Sequence, residues 1–306
     1  MLRQSVRQRL AARHCGVRDA PGSWISDWDA LDAQGLWSTI EPPDGSLAAA
    51  AVVVEELGRG LYAGPACESL AANYVRSRVE PAQLPAVGAG TPAVGLVTDD
   101  SPFVRMAPET LVIVATAAGG AFAGQSADLA VEPVSSLDVT RDIVALSGGA
   151  PCATAIDAEP VRYGRLARTL LYCADTLGCV DYVLHRAAEY ARQRTTFGSP
   201  IGKYQAVAHR LVDHAVTAEQ MRLLLDNAVA AFDERTTDLR RCVATAETFF
   251  FGRASDLISD CIQLAGAIGF TWEFGYHFYL RRVVQNATLG GGVGRPQQRL
   301  AKESAW

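Results

Sequence analysis

The sequence predicts an α+β chain, mainly α, in three parts: an N-terminal helical domain (1–75), a small middle β domain (76–158) and a C-terminal four-helix bundle domain (159–306). Three observations predict it. Helical apolar spacing dominates the first quarter of the chain. Pro and Gly then break the sequence into short apolar runs, the mark of strands joined by turns. Beyond them, apolar residues recur in steps of three and four over long segments, which places them on single stripes. No internal repeat is present.

The elements follow in order. "MLRQSVRQRLAARHCG" reads as a polar helix, without the apolar core of a signal peptide. "SWISDWDALDAQGLW" starts a second helix after a Pro-Gly, and "SLAAAAVVVEELGRGLYAG" a third, capped by Ser46 and stopped near Gly58 or Gly64. "PAVGLV", "TLVIVAT" and "DLAVEPV" read as short strands. From about Tyr163, Leu166, Leu170, Cys173, Leu177, Val180, Leu184, Ala187 and Ala191 form one stripe. Val207, Leu211, Ala218, Met221, Leu225, Ala228 and Phe232 form a second, and a helix from about Leu239 to Ala265 carries a third. Such helices with short connections bury their stripes against one another as a bundle.

With 306 residues, 49% hydrophobic and 20% charged, the chain has core volume enough for an ordinary globular fold. The net charge of −5 is spread, without a basic stripe among aromatics, so nucleic acid is not an expected partner. Apolar runs such as Leu47 to Val54 are too short to span a bilayer, which leads to the expectation of a cytoplasmic protein without a membrane partner. Seven cysteines lack C-x-x-C spacing, and the five histidines form no H-x-x-x-H pair. Neither a disulfide framework nor a metal site is expected, and no G-x-S-x-G elbow points to a hydrolase.

Taken alone, "ARQRTTFGSPIGKYQ" is a helix corner covered by an arginine. With its neighbours, "ARQRTTFGSPIGKYQAVAHRLVD" resembles the R-x-x-F-G-x-x-I-x-x-x-Q segment of the acyl-CoA dehydrogenase family. "QLAGAIGFTWE" resembles that family's Q-x-x-G-G-x-G-F-x-x-E, and "VVVEELGRGLYAGP" its V-x-E-E-L-G-R. The resemblance spans nearly the whole chain and implies the three-part fold, FAD as cofactor and a tetramer of bundle domains with the flavin between subunits. It implies that Arg194 meets the FAD pyrophosphate, where a planar guanidinium is well suited. Phe197 and Gln205 would sit beside it, and Gln263 and Gly266 would line the adenosine half. Ala267 stands where the family has a second glycine. Glu55, Glu56 and Arg59 are expected to be structural, as exposed pairs on a helix end.

The family's catalytic glutamate has no match. "NATLGGGVG" holds no carboxylate where most members place it, and "RLARTLLYCADTLG" has Arg or Ala where a second branch does, with Asp175 nearby. Glu273 is a weak candidate for the base, and the run Gly290, Gly291, Gly292 and Gly294 reads as a flexible segment rather than a phosphate loop. The middle region keeps little of the loop that serves a subunit's own flavin ring. The residues that reach a neighbour's FAD are matched and those serving the chain's own site are not. The chain therefore resembles the short subunit of the heterotetrameric acyl-CoA dehydrogenases of actinobacterial steroid catabolism. This implies a second, full-length acyl-CoA dehydrogenase subunit as partner in an α2β2 assembly, with the base on that partner. A bulky acyl-CoA, steroid-derived in that type, would be the substrate, and an electron-transfer flavoprotein the kind of acceptor. Two alternatives stand beside this one: a scaffold or regulator that binds no flavin, and an autonomous homomeric flavoenzyme using Glu273 or Asp175.

Overall fold

The computed structural model describes residues 4, 6, 7, 24–84, 94–98, 101–107, 110–116, 120–147, 154–290 and 295–304. Cys15, Cys152, Gly291, Gly292 and Gly294 lie outside them, as does most of the polar N-terminal helix. The fold is mainly helical, as the sequence predicts, and its described residues form two small sheets in the middle region and a two-stranded hairpin within the bundle domain.

Helix α1 (Ile25–Asp32) carries Trp28, whose ring stacks on that of Trp37 beyond the helix at 4.1 Å between centroids. Ser46 takes extended backbone and its hydroxyl accepts the Ala49 amide at 3.1 Å, starting α2 (Leu47–Arg59) at the expected cap. The Asp233 carboxylate also accepts the Leu47 and Ala48 amides, placing negative charge at that helix's positive end. A further helix, α3 (Ala66–Arg76), completes the N-terminal part.

Strands β1 (Val94–Thr98), β3 (Leu111–Ala115), β4 (Ala121–Gln125) and β7 (Thr154–Ala155) form one sheet in the order β1-β3-β4-β7, parallel between β1 and β3 and antiparallel elsewhere. Strands β2 (Phe103–Val104), β6 (Ile143–Leu146) and β5 (Val131–Pro133) form an antiparallel second sheet. The pleat sorts the first sheet's side chains by parity. Leu96, Leu111, Ile113 and Ala115 join the main core. Val97, Val112 and Val114 turn the other way and pack with Phe103, Met106 and Val144 of the second sheet's side. The larger sheet is thus buried on both faces, which is why its strands read as near-continuous apolar runs.

The bundle consists of α4 (Ala158–Gln193), α5 (Gln205–Asp233), α6 (Leu239–Ala265) and α7 (Tyr276–Gly290), with α8 (Arg295–Glu303) packed on α6. Every residue from Leu170 to Val180 of α4 is buried, because α2 covers one side of this helix while α6 and α7 cover others. The α2–α4 crossing is close: a Cβ on Gly178 would lie 1.9 Å from the Glu55 carbonyl, and one on Gly58 2.2 Å from that of Asp175. This crossing corrects the expectation of exposed pairs at Glu55 and Glu56, both of which are buried. Glu56 accepts two bonds from Arg7 at 2.6 and 2.9 Å, and Glu55 takes Arg222 of α5 at 3.1 and 3.2 Å. Their role is structural, as expected. Among the described residues no helix is long and apolar enough to cross a membrane.

Candidate functional site

Helix α4 ends where Arg194 leaves the helical region, at φ −71° and ψ 118°. Thr195–Thr196 and Ser199–Pro200 then pair as a minimal hairpin, β8 with β9. Its two turn residues, Phe197 and Gly198, have φ of +49° and +76°, the signature of the tight turn that matches strand twist. Glycine adopts this freely, whereas phenylalanine pays about 1–2 kcal/mol. The Ile201 amide donates to the Arg194 carbonyl at 2.8 Å and the Tyr204 hydroxyl to the Thr196 carbonyl at 2.8 Å, fixing the hairpin as a rigid arm. The Phe197 side chain at its tip is 99% exposed. Arg194 and Gln205 are exposed beside it, and their side chains make no hydrogen bond or ion pair among the described residues.

The second matched segment lies at the same end of the bundle. Helices α5 and α6 run antiparallel: Arg210, near the start of α5, forks onto Asp260, near the end of α6, and His214 Nε2 lies 2.6 Å from the same carboxylate. One turn beyond Asp260, Gln263 is exposed and likewise unbonded through its side chain among the described residues. Gly266 caps α6 at φ +72°, with nothing within 4 Å of where a Cβ would stand. Glycine is required there by backbone conformation, and close approach is no part of the reason within this chain. A short turn follows over Gly266–Phe270, and the ring of Phe274 packs edge-on at 5.5 Å against Tyr190 of α4, tying this segment to the root of the arm. Phe270 and Trp272, on this turn and just after it, are 68% and 50% exposed. Glu273 is exposed on the same loop. Arg194, Phe197, Gln205, Gln263, Gly266 and Glu273 are therefore gathered at one end of the bundle, facing outward.

Asp175 is placed quite differently. It is buried in the middle of α4, where Arg282 donates to it at 3.1 and 3.2 Å, Arg141 at 3.0 Å and Asn286 at 2.7 Å. Burial pushes its pKa up, but the two guanidinium charges and the bonds from Arg282 and Asn286 prevail and hold it below the usual carboxylate range. Arg282 also donates to the Tyr62 carbonyl and the Thr140 hydroxyl. Asp175 thus joins the N-terminal helices, the middle sheets and the bundle, and its lone pairs are already engaged.

A separate cavity of about 860 Å³ lies between the sheets and the bundle, lined from β1 and β3, the first half of α4, the first half of α6, the end of α7 and α8. Glu247 of α6 borders it. Burial drives its carboxyl pKa up from 4.5 to about 7, against the opposing pull of the Arg299 guanidinium bonded to it. Sequence reasoning missed this residue. The available signal was a lone acid in the otherwise uncharged run "VATAETFFFG" of a core helix. Neither Glu273 nor Asp175 lines the cavity. Among the described residues, no group of three or more His, Cys, Asp or Glu side chains is placed to hold a metal ion.

Comparison with known proteins gives the following. Residues 165–300 match the family model described as acyl-CoA dehydrogenase, C-terminal domain. The chain is 30% identical over 302 residues to acyl-CoA dehydrogenase FadE34 of Mycobacterium tuberculosis, across 91% of this chain but only 42% of that protein. To acyl-CoA dehydrogenase IpdE2 of the same organism it is 29% identical over 322 residues, covering 99% of this chain and 96% of that one. The solved structure of the Tcur3481-Tcur3483 steroid ACAD G363A variant superposes with a TM-score of 0.82 at 23% identity, over 99% of this chain and 96% of the other, a likeness of fold.

Proposed function

As the chain belongs to the acyl-CoA dehydrogenase family, we propose that it is one subunit of a heteromeric, flavin-dependent dehydrogenase and lends its arm to a cofactor held mainly by a partner. The observation that carries this reading is the arm itself. A phenylalanine is kept in strained backbone and almost full exposure beside an arginine whose side chain has no ion pair, and neither stabilises anything among the described residues.

The donor set fits FAD. Arg194 would take the pyrophosphate through charge-assisted bonds, Gln205 and Gln263 would offer amides, Phe197 an apolar face and Gly266 a bare backbone turn. When bound, the flavin supplies the hydride acceptor for α,β-desaturation of an acyl-CoA. This chain's residues bind and orient the cofactor, and the proton acceptor comes from the partner, since Asp175 is committed to Arg141 and Arg282. A bulky, steroid-derived acyl-CoA as substrate is supported by the likeness to a steroid ACAD, and a full-length second subunit in an α2β2 assembly by that protein's two-part designation. An electron-transfer flavoprotein is the proposed acceptor.

The test is Arg194→Ala in the complex co-expressed with a full-length acyl-CoA dehydrogenase subunit. Loss of a charge-assisted contact of about 1.5–3 kcal/mol should lower flavin absorbance per protomer after gel filtration, and Arg194→Lys should restore part of it. Unchanged flavin content in Arg194→Ala would instead support a scaffold that binds no FAD through this arm.

A further inference from the structure

Helix α5 is apolar on two sides. Its inner stripe, with Ala218, Met221, Leu225, Ala228 and Phe232, is buried in the bundle. On the outer side Val212, Val216 and Leu223 are 60%, 53% and 59% exposed. Steps of four and seven residues place these three on one line, a strip about 16 Å long, and the exposed Ala215 and Ala230 border it. The other bundle helices differ: among the described residues, α4, α6 and α7 expose no large hydrophobic side chain. Single exposed leucines and valines are ordinary, whereas a row of them along one helix is the pattern that packs against another helix.

The charges around the strip choose its occupant. Asp213, Glu219 and Asp226 are exposed along it and make no ion pair among the described residues. Helix α5 has no lysine, and both its arginines are engaged, Arg210 with Asp260 and Arg222 with Glu55 and Asp181. Of the flanking helices, α6 exposes one charge of each sign, Arg253 and Asp256, and on α4 Arg186 holds Glu189. The rim is therefore acidic. A second copy across a two-fold axis would lay α5 antiparallel on itself. The register that sets Val216 against Leu223 of the copy also sets Asp213 against Asp226 and Glu219 beside its own image. Like charges in that position oppose the contact, and a basic rim would favour it.

We propose that the outer face of α5 docks an apolar helix face bordered by Lys or Arg on the unlike, full-length subunit, and so joins one αβ pair to the next. This rests on the heteromeric reading above and adds the surface that completes the assembly and the reason it excludes a second copy of this chain.

The test uses the complex co-expressed with a full-length acyl-CoA dehydrogenase subunit. Light scattering should give an α2β2 mass for the wild type and a monomer for this chain alone. Leu223→Asp, at an exposed position, should halve the mass to αβ pairs that keep their flavin. Glu219→Lys combined with Asp226→Lys reverses the rim and leaves the strip intact. It should raise the concentration at half-dissociation of the tetramer by at least about tenfold at low salt, and high salt should shrink that difference. A photo-crosslinking residue at Val216 should join this chain to the full-length subunit. Crosslinked pairs of this chain, or self-association of the isolated chain that Leu223→Asp abolishes, would place a second copy on the face and overturn the proposal. An undiminished tetramer in Leu223→Asp, or tighter assembly on charge reversal, would overturn it too. Flavin content reports on the arm separately: unchanged flavin in Arg194→Ala with normal assembly would sink the arm's role and leave this face standing, whereas a wild-type chain that never associates with the subunit would overturn both.

Discussion

Glu247→Gln should alter the pH dependence of stability in a direction opposite to that of most paired carboxylates. In the folded chain its pKa is pushed by burial from 4.5 to about 7, because ionising it places charge in the interior with only the half-exposed Arg299 to answer it. The folded form therefore binds this proton more tightly than the unfolded form. The resulting stability is fully present below about pH 4.5, falls as pH rises, and is gone above about pH 7. At about 1.4 kcal/mol per pH unit over that window, the loss comes to about 3 kcal/mol. Glutamine keeps an oxygen for Arg299 and cannot ionise, so the difference between variant and wild type should grow in the variant's favour by about that amount between pH 4.5 and pH 8. Urea denaturation of both proteins at half-unit pH steps measures it, and taking the difference cancels every other titrating group. Parallel stability curves across that range would refute the claim that Glu247 is held in a desolvated site.

Asp175→Asn leaves the buried Arg141 and Arg282 without their shared carboxylate and should cost about 3–5 kcal/mol in chemical denaturation; wild-type stability with lost turnover would instead mark Asp175 as a catalytic base. Phe197→Gly relieves the strained turn and removes a ring that touches nothing at home, so thermal melting of the isolated chain should show stability unchanged or raised by up to about 1 kcal/mol. The same variant should weaken assembly with the partner subunit in gel filtration, and an isolated chain that becomes less stable would show that the ring has a contact within its own fold.

The sequence was legible wherever a local rule decides the structure. Ser46 caps its helix because a hydroxyl in extended backbone reaches the amide three residues on, whatever lies elsewhere. The long stripes of α4, α5 and α6 were readable because each buries a face. Strands β4 and β6 went unread: "AFAGQ" and "IVAL" are too short to show a period, and only pairing with β3 and with β2 and β5 makes them strands. Glu55 and Glu56 looked like surface charges because nothing near them in sequence announces that Gly58 and Gly178 let two helices touch backbone to backbone.

The two candidate sites divide along the same line. The arm was found from its motif because its residues are set by a hairpin of six residues and owe little to the rest of the chain. Phe197 could be almost anything without harming the fold around it, so its identity carries information about what lies outside. Glu247 depends on where α4, α6, α7, α8 and the first sheet meet. A glutamate in "ATAETFF" is ordinary until three-dimensional packing removes its water. A carboxyl that the fold desolvates, as at Glu247, is therefore visible only in the structure. It points to the interior of this chain, where the sequence motifs had directed attention to its surface.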